Sequence, residues 1–130
     1  MIIGTGIDMT DSRRLEKIIT THGDRFKARY FTALENDLAA QQQNVLMYYT
    51  KRFAAKEACA KALKTGFRNG IRMQDIEVTN ESSGRPVITL KDAALTALIT
   101  QLPDNTRSSI HLSLSDEPPY AIAQVIIEAL

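Results

Sequence analysis

The chain has 130 residues, 44% of them hydrophobic and 24% charged, with a formal net charge of +1. That length suits one domain, residues 1–130, around one modest core, and the composition is that of an ordinary globular protein. The near-neutral balance gives no reason to expect nucleic-acid binding, and Cys59, the lone cysteine, excludes an internal disulfide scaffold.

Residues 2–8 alternate weakly and carry two glycines, which predicts a short buried strand ending at Asp8. This start lacks the basic head and long apolar stretch of a secretory signal. No apolar run approaches the roughly 18 residues of a membrane span, so a cytoplasmic protein with no membrane partner is expected. Ser12 reads as a helix N-cap, with Leu15, Ile18 and Ile19 as the apolar stripe of a helix to about residue 21. Gly23 and Asp24 break it, and a short helical piece follows over 25–30. Thr32 and Glu35 form a capping-box pattern that opens another helix to about residue 42. The longest helix should cover about 44–63, with Gly66 as its C-terminal cap.

The second half changes character. Residues 75–80 and 86–90 alternate and are rich in β-branched side chains, with a Ser-Ser-Gly-Arg turn between them. A helix over 91–101 should turn Ala94, Leu95, Leu98 and Ile99 inward. Strands over 110–115 and 120–128, joined by a turn at 116–119, complete the chain. Helices early and strands late predict an α+β class with helices packed on a mostly antiparallel sheet. The common glycine-rich nucleotide loops are absent, since Gly4-Thr-Gly6 stops short of them.

The chemistry concentrates in residues 53–63, an alanine-dominated helix bearing Lys56, Glu57 and Lys61. Such a helix buries little apolar area per turn, but its small side chains let backbone, ligand or metal come close. Glu57 and Lys61 are four apart and project on the same side. A carboxylate able to hold a metal, one turn from an ammonium, suits a phosphate-bearing substrate, and Asp8 supplies a second carboxylate. The same spacing is also a common surface pair worth a few tenths of a kcal/mol, and spacing alone favours that plainer reading. Cys59, set among alanines, reads as a small buried hydrophobe. Residues 13–29 hold six basic side chains (Arg13, Arg14, Lys17, Arg25, Lys27, Arg29) against Glu16 and Asp24. That patch is either a solvated helix face or a dock for an acidic partner.

Several motifs occur in one order: Gly-Ile-Asp at 6–8, Arg-Phe-Ala-Ala-Lys-Glu-Ala at 52–58 with Lys61 following, Thr-Gly at 65–66, Gly-Arg-Pro at 84–86, and His-Leu-Ser-Leu-Ser-Asp-Glu at 111–117. Together they resemble the holo-[acyl-carrier-protein] synthases, the small bacterial type of 4′-phosphopantetheinyl transferase, essentially end to end. The resemblance implies that fold and a reaction: transfer of the phosphopantetheine arm of coenzyme A to a serine of apo acyl carrier protein, releasing adenosine 3′,5′-bisphosphate. It implies Mg²⁺ held by Asp8 and Glu57, with Lys61 on the phosphate, and hence Asp8, Glu57 and Lys61 as the catalytic set. Mg²⁺ takes hard oxygen ligands, usually one or two carboxylates plus phosphate oxygens and waters, so the residue types make sense. Glu57 would also serve as base for the carrier serine, directly or through a metal-bound water. The relayed version is favoured because a metal-held carboxylate is a weakened base.

The resemblance further implies a coenzyme A surface made from Arg52, Lys56, Lys61, Thr65, Gly66, Arg85, Pro86 and His111. Arg13 and Arg14 would dock the acidic carrier, with Arg25 and Arg29 extending that surface. It implies a homotrimer with sites between neighbouring subunits, so that Asp8 and Glu57 could come from different chains. The chain departs from the family pattern after Asp8, reading Met9-Thr10-Asp11-Ser12 where Ile-Val-Glu-Ile is usual, and Lys64 stands where a glycine is usual. The alternative reading is a catalytically silent homologue that binds carrier or coenzyme A; the retained carboxylates and lysine argue against it.

Overall fold

The computed structural model describes residues 1–130. In order come β1 (Ile2–Asp11), α1 (Ser12–His22), α2 (Asp24–Tyr30), α3 (Ala33–Ala39), α4 (Val45–Ala62), β2 (Ile76–Asn80), β3 (Pro86–Leu90), α5 (Asp92–Ile99), β4 (Ser108–Glu117) and β5 (Tyr120–Ala129). A 3₁₀ turn at Met73–Asp75 precedes β2. The expected α+β class holds, and every strand pair is antiparallel: β1-β5-β4 form one sheet and β2-β3 a second, with β3 beside β4.

Most boundaries follow the local signals, and the differences have local causes. β1 continues past Asp8 because its ladder with β5 runs on to the Asp11–Tyr120 pair. The N-cap of α1 is therefore Asp11, whose side chain accepts from the Arg13 N–H, and not Ser12. Thr32 and Glu35 do form a capping box, but α3 stops at Ala39. In α5 only Ala94 and Leu98 are buried; Leu95 and Ile99 are exposed, contrary to expectation. They lie about 100° further round a helix of barely two turns, which presents only a narrow stripe to its neighbours.

Helix α4 is the centre of the molecule. Its alanines and Cys59 pack with Val125 and Ile127 of β5 and with Ile76 and Val78 of β2 in one apolar cluster. Its Tyr48, Tyr49 and Phe53 join Leu15, Phe26 and Phe31 of the early helices in a second cluster. The core is thus two clusters sharing one helix, where a single one was expected. Against β1 the approach is at backbone distance: a Cβ on Gly6 would lie 1.8 Å from the Ala58 carbonyl oxygen, and one on Gly4 1.9 Å from that of Ala62. Two strand residues advance about 6.6 Å and four helical ones about 6 Å, so both contacts form in step.

The end of α4 differs from the glycine cap expected at Gly66. The cap residue is Leu63, and Lys64 takes the left-handed conformation with φ of 67°. Gly66, at φ of 57°, folds its N–H back to the Ala60 carbonyl at 3.2 Å. A side chain in that left-handed region costs roughly 1–2 kcal/mol, which explains why glycine is usual where Lys64 stands. Lys64→Gly should therefore stabilise the protein by about 1 kcal/mol and raise its Tm by about 4 °C in a thermal melt. An unchanged or lower Tm would show that the Lys64 side chain makes a compensating contact.

Candidate active site

Asp8 and Lys61 meet because of the β1–α4 packing. The inner face of β1 carries Gly4, Gly6, Asp8 and Thr10, every second residue. Lys61 extends from α4 to that strand, donating to the Ile7 carbonyl at 2.8 Å and to Asp8 Oδ1 at 3.3 Å. Its ammonium is therefore spent on β1 and forms no surface pair with Glu57. The other Asp8 oxygen, Oδ2, accepts from the Thr10 hydroxyl at 2.7 Å. Glu57 is half-buried, and its carboxyl is pushed up from the ordinary range by desolvation first and by the Asp8 charge second, against the pull of Lys61 and Arg14. A half-buried carboxyl whose charge is disfavoured further by a neighbouring carboxylate is what a divalent cation would relieve. The donor set fits Mg²⁺, because Asp8 and Glu57 offer only hard carboxylate oxygens, the kind this ion takes alongside phosphate and water. Asp8, Glu57 and Lys61 lie near one another within this chain.

Glu57 stands between two clefts of about 540 Å³ each. One runs under α1 and α2, with an apolar floor of Ile18, Phe26 and Phe53 and a rim of Arg14, Arg25 and Arg29. Arg14 lies over the Phe53 ring at 5.7 Å. Arg13, expected beside it, turns elsewhere: its guanidinium grips both Asp11 oxygens, the shortest contact 2.7 Å, and faces the Tyr120 ring. The other cleft is lined by Tyr30, Phe67, Ile71 and Met73, with Arg29 and Arg72 at its edge.

The remaining expected residues fall in a different place. Arg52 is buried, stacks on Tyr48 with 3.9 Å to the ring centroid, and donates to Asn80 Oδ1. Its Nε and the Tyr48 hydroxyl have no protein partner. Arg52 borders a cavity of about 650 Å³ with Lys51, Asn80 and Gly84, and a smaller one reaching Pro86 and Ser113. Arg85 is exposed and paired with Glu81 at 3.4 Å, outside both linings. His111 sits on the open face of the three-stranded sheet, 3.1 Å from Glu128. Thr65 and Gly66 follow α4 directly; the space a Gly66 side chain would take is open, so its positive φ, not close approach, is what calls for glycine.

Lys56 must be removed from the ligand-facing set. Its side chain is fully buried, and its ammonium donates to Glu35 Oε1 at 2.7 Å, the Met73 carbonyl at 2.9 Å and the Ile76 carbonyl at 2.6 Å. All three of its protons are committed. Glu35 in turn accepts from the N–H groups of Thr32 and Val78. Burial drags the Lys56 pKa down, opposed by Glu35. Cys59 is inert as expected, its thiol pushed up to about 12 by burial. The sequence reading missed Thr10, although the i,i+2 spacing from Asp8 on a strand was a visible signal. It also missed Tyr48 and Asn80, which only tertiary packing brings to Arg52.

A family model described as the 4′-phosphopantetheinyl transferase superfamily matches residues 4–125, and the chain belongs to that family. It is 49% identical over 130 residues to the holo-[acyl-carrier-protein] synthase of Bartonella bacilliformis, covering 100% of this chain and 98% of the relative. Among solved structures, holo-[acyl-carrier-protein] synthase from Neisseria meningitidis superposes with a TM-score of 0.86 at 31% identity, covering 98% of this chain and 99% of that one. The Bacillus anthracis synthase, solved in complex with coenzyme A (3′,5′-ADP), gives 0.80 at 32% identity, with coverage of 100% and 99%.

The buried Lys56–Glu35 pair generates a stability prediction. Lys56→Met should cost about 3–5 kcal/mol in denaturant unfolding, because Glu35 is left charged and unpaired in the core. The double change Lys56→Met with Glu35→Gln should recover part of that loss. A loss below about 1 kcal/mol in the single variant would mean the pair is hydrated, not dry.

Proposed function

We propose that this protein transfers the 4′-phosphopantetheine arm of coenzyme A to a serine of apo acyl carrier protein and releases adenosine 3′,5′-bisphosphate. The observation that carries this reading is the Asp8–Lys61 contact with Glu57 alongside, in a chain that matches such synthases over its whole length. Asp8 and Glu57 would hold Mg²⁺, which supplies charge neutralisation at the pyrophosphate. The serine oxygen attacks the phosphorus bearing pantetheine, the bond to the nucleotide phosphate breaks, and the serine proton leaves toward Glu57. Because a carboxylate that holds a divalent cation is a weakened base, that proton would reach Glu57 through a relaying water. Lys61 is free to exchange its bonds to β1 for the departing phosphate, where its charge offsets the developing negative charge.

The carrier would lie in the arginine-rimmed cleft, with Arg14, Arg25 and Arg29 facing its acidic surface and Glu57 at the end of the groove. Coenzyme A would draw on Lys61, Thr65 and Gly66 of one subunit and on Arg52, Arg85, Pro86 and His111 of its neighbour in a homotrimer. Two observations support that assembly. The Arg52 cavities are distinct from the Glu57 clefts, and the outer face of the three-stranded sheet exposes Ile7 (60%), Met9 (63%) and Ile122 (41%) beside His111. No helix is long and apolar enough to cross a membrane. We place the activity in the cytoplasm, in fatty-acid synthesis, as one transferase domain over residues 1–130.

Intact-mass spectrometry of apo acyl carrier protein with coenzyme A, Mg²⁺ and this protein should show a gain of one phosphopantetheine group that EDTA abolishes. No gain across several carriers would reject the reaction. Glu57→Gln should lower the rate at least about 100-fold. It should not lower the Tm of the metal-free protein at pH 7, because the folded-state pKa of Glu57 is raised and its charged form costs stability there. That Tm advantage should shrink as pH falls through the raised pKa; a lower Tm at pH 7 would contradict the sign. Arg14→Ala should raise the carrier KM about fivefold with little change in kcat, and an unchanged KM would remove Arg14 from the dock.

A further inference from the structure

Thr10 lies two residues after Asp8 on β1, so both side chains point to the inner face. It is only 2% exposed, and its hydroxyl donates to Asp8 Oδ2 at 2.7 Å. An ionised carboxylate only accepts, so the direction of this short, charge-assisted bond is fixed. The Thr10 backbone is held opposite Ala121 in the ladder with β5, and a β-branched side chain has little rotamer freedom. The donor is therefore in place before any ligand arrives. Lys61 approaches the other oxygen, Oδ1, at 3.3 Å with its side chain 54% exposed. The two oxygens of Asp8 are unequal: Oδ2 is tied to Thr10 on the strand, while Oδ1 faces the more exposed Lys61 ammonium, the partner that can move.

We infer that Thr10 is a positioning residue for Asp8, holding Oδ2 so that Oδ1 is presented to the divalent cation and thereby setting the metal affinity of the protein. This rests on the assignment of Asp8 as a metal-holding carboxylate. Hydrogen-bond partners behind a ligating group orient it and hold its lone pair in the coordinating direction; their loss typically weakens metal binding 10–100-fold. Without the hydroxyl, Asp8 can rotate about its side-chain bonds, and each metal-binding event must then freeze that rotation.

The direct test is Mn²⁺ binding to the full chain, read from the free Mn²⁺ signal in electron paramagnetic resonance with no turnover involved. Thr10→Val keeps the side-chain shape and removes the donor; it should raise the Mn²⁺ Kd about tenfold. Thr10→Ala, which adds no methyl to a packed face, should show the same loss, and Thr10→Ser should stay within about twofold of the parent. In the transfer assay, the Mg²⁺ concentration for half-maximal rate should rise in parallel for Thr10→Val and Thr10→Ala. Equal Mn²⁺ affinity in the parent and in a folded Thr10→Val or Thr10→Ala overturns the inference. So does a Thr10→Ser protein as weak as the other two, which would make the effect one of packing. If the parent itself binds no Mn²⁺, the metal reading of Asp8 and Glu57 falls, and this inference falls with it.

Discussion

The contact between the backbone of β1 and the backbone of α4 governs the rest of the structure. Where Gly6 lies on the Ala58 carbonyl and Gly4 on that of Ala62, there is no space for a single methyl group. Glycine on the strand and alanine on the helix are two halves of one requirement. The close approach seals the main apolar cluster against the β1-β5-β4 sheet, and it also brings Lys61 within hydrogen-bond distance of Asp8 and of the Ile7 carbonyl. An alanine-rich helix that looks like poor core material is the means by which a strand carboxylate and a helix cation share one site.

Helix α4 divides its sides by chemistry. One side meets the sheet, one meets the aromatic cluster of the early helices, and Lys56 reaches the buried carboxylate of Glu35. That ion pair ties α3, α4 and the entry to β2 together, and it uses every proton the ammonium has. Because Glu57 follows Lys56 immediately, it is rotated about 100° away, out of the core and toward the paired clefts. A structural residue and a functional one are neighbours in the motif because the helix turns one inward and the other outward.

Much of this was legible in the sequence for physical reasons. The Thr32–Glu35 box, the Asn44 start of α4 and the antiparallel strand pairs are written in local patterns, whereas Asp8, Glu57 and Lys61 stand out as a set only through the family resemblance. What escaped depends on direction in space. Lys56 and Lys61 look alike in the motif, but one ends in a dry ion pair and the other on an exposed strand carbonyl. Arg13 and Arg14 are adjacent, yet Asp11 captures the first and leaves the second to the cleft. Asp11 itself, shorter than the glutamate usual there, serves as the cap of α1. The exposed Leu95 and Ile99 reflect a phase that an apolar pattern alone does not set.

The central claim, that β1 must lie directly on α4 for the site to exist, is tested most directly by the transfer rate of Gly6→Ala, measured on the folded protein verified by circular dichroism. The new Cβ would stand 1.8 Å from the Ala58 oxygen, so strand and helix must separate by more than an ångström. Misplacement on that scale costs about 100-fold in rate, and the account predicts a loss at least that large. A Gly6→Ala protein that transfers phosphopantetheine at a near-normal rate would contradict it.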